Sequence, residues 1–169
     1  DTPEVVGSKS WGNQIPRICT WVHLRDRASQ AEFYVYNVHW DHRSQPSRER
    51  SADLLLQKIS ARSNAGAPVV VMGDFNASED NPAFLALQNH DTVQLHDSFR
   101  ALYPHVVNVG TFNGFTGSND GAKIDAILLS RGLRATAAAI VQTHRDGRYP
   151  SDHFPVTARV VFVKESLHQ

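Results

Sequence analysis

The sequence feature that most constrains the fold is the stretch VVVMGDFNAS at residues 69–78. Three valines and a methionine form an apolar run of the length expected for a buried strand, and the run stops at Gly73. Asp74 and Asn76 follow two positions apart. Because side chains alternate along an extended chain, both point to the same side and could share one cation or one phosphate. A strand-ending turn is the alternative explanation, since Gly, Asp and Asn are common turn residues.

Hydrophobic periodicity predicts one α/β domain over residues 1–169. One helix is predicted to start near Ser47 and to run through RERSADLLLQKISARS, and a shorter one is predicted at AFLALQN. Helices separate the strands in the first half, whereas short turns join those in the second half, so a mixed sheet is expected. The predicted strands cover residues 17–24, 32–39, 68–73, 124–130, 134–143 and 154–163.

Composition excludes several classes of protein. Seventeen basic and seventeen acidic residues balance, so no bulk positive charge indicates long nucleic-acid duplexes as partners. No stretch has the length of an apolar membrane span, and no obligate protein partner is indicated. The single cysteine, Cys19, lies in the alternating run RICTWVHL, which predicts a small buried thiol. The compartment stays open, because the first residues, DTPEVVGS, show neither an initiator methionine nor a signal-peptide pattern.

Polar side chains also end the predicted strand FYVYNVHWDH. Asn37, His39 and Asp41 recur at period two and therefore face one way. They either converge on a site or form the solvated face of an edge strand.

A carboxylate lies inside the apolar run GAKIDAILLS. Burial of Asp125 is costly unless a donor pairs with it. The natural partner lies in YPSDHFPVTARV, where Asp152 and His153 immediately precede the last predicted strand. Adjacent side chains on an extended segment diverge, so one of the two can bind a metal while the other contacts a carboxylate.

The motifs NVHWDH, GDFNAS, KIDAIL and PSDHFPV occur in this order, each at a strand end or in a core strand. This ordered set resembles the endonuclease/exonuclease/phosphatase family, which includes DNase I, abasic-site endonucleases and inositol-phosphate 5-phosphatases. The resemblance implies a DNase I-like four-layer α/β sandwich, in which two mixed sheets are flanked by helices and the site lies at one rim. It also implies a divalent-metal-dependent hydrolase of phosphodiesters or phosphomonoesters, which acts by in-line attack of an activated water.

The resemblance implies roles for three residues in the first two motifs. His39 would bind the scissile phosphate. Asp74 would activate or orient the attacking water, and Asn76 would position phosphate or metal.

The last two motifs supply three further roles through the same resemblance. Asp152 matches a metal ligand and His153 the histidine that polarises the phosphate, while Asp125 matches the carboxylate that orients His153. We therefore predict a hydrogen bond between Asp125 and His153. Mg²⁺, with Mn²⁺ as an alternative, is the implied cofactor, and Asp152, Asp74 and Asn76 are its implied ligands.

Two residues are candidates for substrate binding. Arg48 matches an arginine at the start of the helix in the family, where its guanidinium could reach phosphate; a solvated helix-start residue is the alternative. Asn113 lies in TFNGF, where bacterial relatives commonly read T-F-H-G-F, so the sequence departs from the family there. The loop TFNGFTGSNDGAK is predicted to select the phosphate ester, and the choice between nucleic acid and a small molecule stays open.

The given sequence lacks one part of the family pattern. Family members carry an asparagine and a metal-binding glutamate on strands before the stretch where these 169 residues begin, so a sandwich incomplete at its N-terminus is expected. One alternative is therefore a noncatalytic phosphate-binding protein of the same fold. Another is a transition-metal hydrolase, for which histidine-rich ligation would favour zinc or manganese. Its ligands would be His39, Asp41, His42, Asp74 and Asp152.

Overall fold

The computed structural model describes residues 2 and 4–163. Helices and strands alternate in the first half and strands predominate in the second, which confirms the predicted α/β class. All six predicted strands and both predicted helices are present; the short elements β4 and α3 were not predicted. The elements are β1 Cys19–Arg25, β2 Glu32–His39, α1 Gln45–Ser60, β3 Val69–Asp74, α2 Pro82–Gln88, β4 Leu95–Asp97, α3 Ser98–Leu102, β5 Asp125–Ser130, β6 Leu133–Ile140 and β7 Val156–Phe162.

Five strands form a mixed sheet in the order β1-β2-β3-β5-β4, and β6 pairs with β7 in a second sheet. Only β2 and β3 run parallel within the five-stranded sheet. A parallel pair needs a crossover connection, and α1 supplies it. Two sheets with helices against them are the arrangement expected for a DNase I-like fold.

A capping side chain starts each helix. Ser44 accepts a hydrogen bond from Ser47 N at the start of α1, so the helix begins before the predicted Ser47. Asn81 caps α2, and Asp97 caps α3. None of the helices in the described part of the chain is long and apolar enough to cross a membrane.

One face of the larger sheet packs on α1. Tyr34 and Tyr36 of β2 and Val71 of β3 are buried on this face. They belong to one hydrophobic cluster with Leu55 and Ile59 of α1. This cluster is the main core, and it joins α1 to strands β2 and β3.

The opposite face of the larger sheet meets the second sheet. The ring of Phe33 on β2 contacts Phe162 on β7 edge to face, with 5.8 Å between ring centroids. A gap of about 100 Å³ between the sheets is lined by apolar side chains, among them Val70 of β3 and Leu133 of β6. The two sheets are therefore stacked, as the fold prediction requires.

The edge strand β1 is exposed along its whole length. The expectation of a buried thiol at Cys19 is therefore wrong. The reason is that a cavity of about 740 Å³ separates β1 and residues 4–18 from α1, so the helix does not cover this edge. Large apolar side chains that line this cavity are left open to solvent, including Ile18 and Trp21.

Candidate active site

Strand register places three candidate residues in one row. His39 pairs with Asp74 across the parallel strands β2 and β3, and Asp74 pairs with Asp125 across the antiparallel strands β3 and β5. Directly paired residues project from the same face of a sheet. His39 is the last residue of β2, Asp74 the last of β3 and Asp125 the first of β5. The sheet therefore ends in a row of titratable groups at one rim.

Gly73 permits the close approach of β2 and β3 just before this row. Its φ is +135°, which L side chains rarely adopt. A Cβ atom at this position would lie 1.9 Å from the carbonyl oxygen of Val38. Because that oxygen belongs to the backbone of the neighbouring strand, a larger residue would force the two strands apart.

The predicted hydrogen bond between Asp125 and His153 is present. His153 Nδ1 lies 2.8 Å from Asp125 Oδ2, and the other ring nitrogen, Nε2, lies 4.0 Å from Asp74 Oδ2. His39 Nε2 is 3.4 Å from the same oxygen of Asp74. The imidazole rings of His39 and His153 therefore both face the Asp74 carboxylate. The second nitrogen of the His153 ring is hydrogen-bonded to the carboxylate of Asp125.

Asn76 both forms a turn and holds Asp74. Its φ of 45° is left-handed, which asparagine tolerates better than most residues. Its backbone N donates to Asp74 Oδ1 at 2.7 Å. Its side-chain nitrogen donates to the Trp40 carbonyl at 2.9 Å and lies 3.2 Å from Asp74 Oδ2. The side-chain oxygen is thus the atom of Asn76 suited to a cation.

Burial and neighbouring charges shift the pKa values of two groups in the site. Burial raises the pKa of Asp74 and the charge of Asp125 adds to this, outweighing the Asn76 N–H bond and the two histidines. Burial alone would lower the pKa of His153, but the hydrogen bond and charge of Asp125, helped by Asp74 and Asp152, raise it above the ordinary value. The site therefore favours an imidazolium at His153 beside a carboxyl group that is costly to ionise.

A divalent cation fits the electrostatics of this cluster. Asp74, Asp125 and His153 each offer a ligand atom, and these atoms lie within 4.8 Å of one another. Because Asp125 and His153 already bond to each other, we regard them as a pair and Asp74 as the group that gains most from a nearby cation. The predicted ligand set of Asp152, Asp74 and Asn76 stays a prediction, as does the choice of Mg²⁺.

Hydrogen bonds connect the segment that contains Asp152 to the loop that contains Asn113. The carbonyl oxygen of Asp152 accepts from Asn113 N at 2.7 Å and from Gly114 N at 3.0 Å. The Asn113 side chain is buried and donates to the Ser151 carbonyl at 3.3 Å. Asn113 thus positions the loop, and a direct contact between its side chain and substrate stays a prediction.

Arg48 lies on the first turn of α1. Two of its guanidinium nitrogens donate to Gln45 Oε1, at 3.0 and 2.6 Å, and the third donates to the Asp41 carbonyl at 2.8 Å. These bonds hold the start of the helix against the end of β2. A contact between Arg48 and phosphate stays a prediction.

The alternative set of transition-metal ligands is not assembled, because Asp41 and His42 serve other partners. β2 ends at His39, so the alternation does not extend to Asp41, which is buried. Its carboxylate accepts from Arg43 N and Ser44 N at 2.9 and 2.7 Å. His42 Nδ1 lies 3.1 Å from an Arg17 nitrogen. The expectation that Asn37, His39 and Asp41 share one face is therefore wrong for Asp41.

Thr111 organises the site and was not predicted. Its buried hydroxyl accepts from Ile124 N and Asp125 N, each at 3.0 Å. Its carbonyl oxygen accepts from Phe154 N at 2.7 Å. One residue thus fixes the backbone on both sides of the Asp125–His153 bond. No local pattern reveals this, because its partners lie far along the chain.

Comparison with known proteins identifies the family. A sequence profile described as "Endonuclease/Exonuclease/phosphatase family" matches residues 3–153. The chain belongs to the endonuclease/exonuclease/phosphatase family. A comparison with curated protein sequences found no match.

Solved structures of the endonuclease/exonuclease/phosphatase family share this fold. A mannosyl-6-phosphatase of Bacteroides thetaiotaomicron is 31% identical, with a TM-score of 0.77, and the match covers 92% of this chain and 61% of that one. A family member from Bacteroides vulgatus is 26% identical, with a TM-score of 0.78 and coverages of 95% and 61%. The human Nocturnin catalytic domain, at 19% identity, a TM-score of 0.72 and coverages of 87% and 53%, supports the fold alone. The chain spans 61% of the length of the two bacterial relatives.

Proposed function

We propose that this protein is a divalent-metal-dependent phosphoesterase that hydrolyses its substrate by in-line attack of an activated water. The observation that carries the proposal is the convergence of His39 and His153 on Asp74, with Asp125 behind His153. Phosphate-ester hydrolysis requires donors for the nonbridging oxygens and a carboxylate that can orient water. The row at the sheet rim offers both within one small space.

Each residue would contribute one physical effect. His153 donates from Nε2 to a nonbridging phosphate oxygen, and Asp125 keeps that imidazole protonated and oriented. His39, whose side chain is 60% exposed, gives a second donor that substrate can reach. Asp74 orients the attacking water and accepts its proton.

A bound divalent cation would offset the negative charge that develops on the phosphoryl and leaving oxygens. Asp74, Asn76 and Asp152 would hold it through oxygen atoms, which are the ligands that Mg²⁺ and Mn²⁺ prefer. The raised pKa of Asp74 supports this assignment, because a cation beside that carboxylate would relieve the cost of its ionisation.

A small phosphate ester is the substrate class that we favour. A relative of 31% identity is a mannosyl-6-phosphatase, and the equal numbers of acidic and basic residues provide no excess charge for a long polyanion. Nucleic acid as substrate is the alternative that the same experiment tests.

The test is an assay of the full-length protein on a sugar phosphate, a nucleotide and a single-stranded oligonucleotide, with Mg²⁺, Mn²⁺, Ca²⁺ or a chelator. We expect hydrolysis only with added metal. Asp74→Asn and His153→Ala should each lower kcat by about 10²- to 10⁴-fold. His105→Ala, which removes an exposed histidine outside the site, is the matched control. Turnover that survives chelation, or that both site variants retain, would refute the proposal.

A further inference from the structure

Two loops that leave the sheet at the candidate site run side by side. β2 ends at His39 and one loop leads from there to α1, while β3 ends at Asp74 and the other leads to α2. Trp40 N donates to the Asp74 carbonyl at 2.9 Å. The Asn76 side-chain nitrogen donates to the Trp40 carbonyl, also at 2.9 Å. The two loops are therefore joined directly beside the row of site residues.

A pair of amide side chains joins the same two loops at their far ends. Gln45, the first residue of α1, donates from Nε2 to Asn81 Oδ1 at 3.1 Å, and its Oε1 accepts from Asn81 Nδ2 at 2.9 Å. Asn81 is the residue that caps α2. Gln45 Nε2 also donates to Glu49 Oε1 at 2.8 Å, so the amide turns its oxygen to donors and its nitrogen to acceptors. The starts of α1 and α2 are thereby held together.

Arg48 connects this amide pair back to the loop after His39. Its Nε and Nη2 donate to Gln45 Oε1 at 3.0 and 2.6 Å, and its Nη1 donates to the Asp41 carbonyl at 2.8 Å. A guanidinium group is planar and presents its donors in a rigid fork, so three bonds fix its orientation. Each nitrogen of Arg48 therefore already has an acceptor within the protein.

We propose that Arg48, Gln45 and Asn81 form a polar bridge that sets the spacing of His39 and Asn76, and that Arg48 is a positioning residue that does not contact phosphate. The inference rests on the proposed function, because that spacing affects turnover only if His39 binds the phosphate. Without the bridge, the loops are joined only next to the sheet and can shift relative to each other. A displacement of about 1 Å at a reacting group can lower a rate by about 10²-fold.

Arg48→Lys in the full-length protein separates positioning from phosphate binding. Lysine keeps a positive charge that can bind phosphate, but its single nitrogen cannot reproduce the fork. With a sugar phosphate and Mg²⁺, we expect Arg48→Lys to lower kcat about 10- to 100-fold, as Arg48→Met does. The inhibition constant of inorganic phosphate should stay close to that of the unmodified protein in both variants. A direct contact would instead make this constant rise about 10- to 100-fold in Arg48→Met, with lysine restoring it.

Gln45→Met provides a second and independent test. It removes the oxygen that Arg48 and Asn81 share, while it keeps the length of the side chain and the charge of Arg48. We expect the same loss of kcat as in Arg48→Met, and little further loss in the double variant, because both changes break one bridge. Gln57→Met, at an exposed position of the same helix, is the matched control and should leave kcat unchanged. Full activity of Gln45→Met or of Arg48→Lys would overturn the inference.

A spectroscopic measurement keeps this inference separate from the proposed function. The side-chain amide of Asn76 donates to the Trp40 carbonyl, so its NMR signal in the metal-free protein reports the contact between the two loops. The signal should shift in Arg48→Lys and in Gln45→Met, but not in Gln57→Met. If no ester is hydrolysed with any metal, the proposed function is wrong, and a shifted Asn76 signal still supports the bridge. An unchanged Asn76 signal in both bridge variants would refute it.

Discussion

Opposing effects set the pKa of His153: burial lowers it, and the carboxylates around it, chiefly Asp125, raise it. Because the net shift is upward, the folded state binds a proton that the unfolded chain releases near pH 6.5. The stabilisation from this proton is therefore complete below pH 6.5 and is lost as pH rises through the folded pKa. We expect a nitrogen-15 NMR titration of the metal-free protein to place the pKa of His153 above 6.5.

Asp125→Asn should lower the pKa of His153 in the same titration, because it removes a negative charge and leaves the ring without its carboxylate acceptor. Asp146→Asn, an exposed position in another loop, is the control. An unchanged pKa in the Asp125 variant would contradict the pairing.

Asp125 and His153 should also behave as one unit in kinetics. If the only catalytic task of Asp125 is to orient and charge His153, then removing either residue removes the same interaction. We expect the double variant Asp125→Ala/His153→Ala to lose little more kcat than His153→Ala alone. Full multiplication of the two single losses would show that each residue has an independent role.

Thr111 is predicted to act as a positioning residue for this pair. Thr111→Val keeps the shape of the side chain but leaves the amides of Ile124 and Asp125 without their acceptor, a loss of about 1–3 kcal/mol in unfolding free energy. The NMR signal of the hydrogen-bonded His153 Nδ1 proton should broaden or shift as well. Thr111→Ser restores the acceptor and should restore that signal. If Val and Ser give the same spectrum at His153, Thr111 stabilises the fold without positioning the pair.

The sequence predicted the Asp125–His153 bond because a carboxylate in an apolar strand requires a donor, and the ordered motifs indicated which donor. It did not predict the surroundings of Asp41, since the strand ended two residues earlier than the alternation suggested. Local patterns reveal which groups are costly to bury, but they do not reveal where distant backbone brings a partner.

At the scale of elements, a buried ionic cluster connects three segments around β4 and α3. Lys123, two residues before the start of β5, contacts Asp97 at the end of β4, and both side chains are fully buried. Lys123 Nζ is also 3.6 Å from Glu79, which pairs with Arg100 of α3 at 2.7 Å. Asp97 in addition accepts from the first amides of α3. The cluster thus fixes the position of the start of β5 and, with it, the position of Asp125.

Removal of one charged member of this cluster should lower the stability of the fold. Lys123→Met leaves Asp97 buried without its cation, and we expect a loss of about 3–5 kcal/mol in unfolding free energy by urea denaturation. Asp97→Asn keeps the oxygen that caps α3, so the double variant should lose less than the sum of the single losses. Lys58→Met, at an exposed lysine, should change stability by less than about 0.5 kcal/mol. Additive losses would show that Lys123 and Asp97 are not coupled.

The long elements were predicted more successfully than the short ones for a physical reason. α1 has several apolar residues at helical spacing, and β3 has an uninterrupted valine run, so each carries its own signal. β4 and α3 have three and five residues, too few to show a period, and they form because Asp97 caps α3 and binds Lys123. The interaction that determines β4 and α3 is a tertiary contact, which the local sequence pattern does not show.

At the scale of the whole molecule, large apolar side chains are exposed both on the edge strand β1 and on the small second sheet. Ile18, Trp21 and Leu24 are exposed at the β1 edge, and Val161 and Phe162 are partly exposed on β7. Exposed apolar side chains favour association with further chain or with another copy. The relatives have further chain length, since the match covers only 61% of each bacterial structure.

The 169 residues alone should bind magnesium weakly and hydrolyse phosphate esters poorly. The family resemblance places a glutamate ligand upstream, and without it the cation would depend on Asp152, Asp74 and Asn76. The measurement is magnesium-dependent turnover of these residues beside that of a chain extended upstream through the expected glutamate. Replacement of that glutamate with glutamine should return turnover to the level of the short chain. Equal turnover by all three would show that the metal site needs no upstream ligand.

Gly73 has a consequence for how such a protein is studied. In an activity screen, substitutions at Gly73 would be inactive, as substitutions at Asp74 or His153 would be. Glycine nevertheless has no side chain that could take part in a reaction. The cause would be the backbone oxygen of Val38, 1.9 Å from any added Cβ, and the separation of two strands that each end in a reactive group. A false assignment of chemistry is avoided only when each inactive variant is also measured for folding.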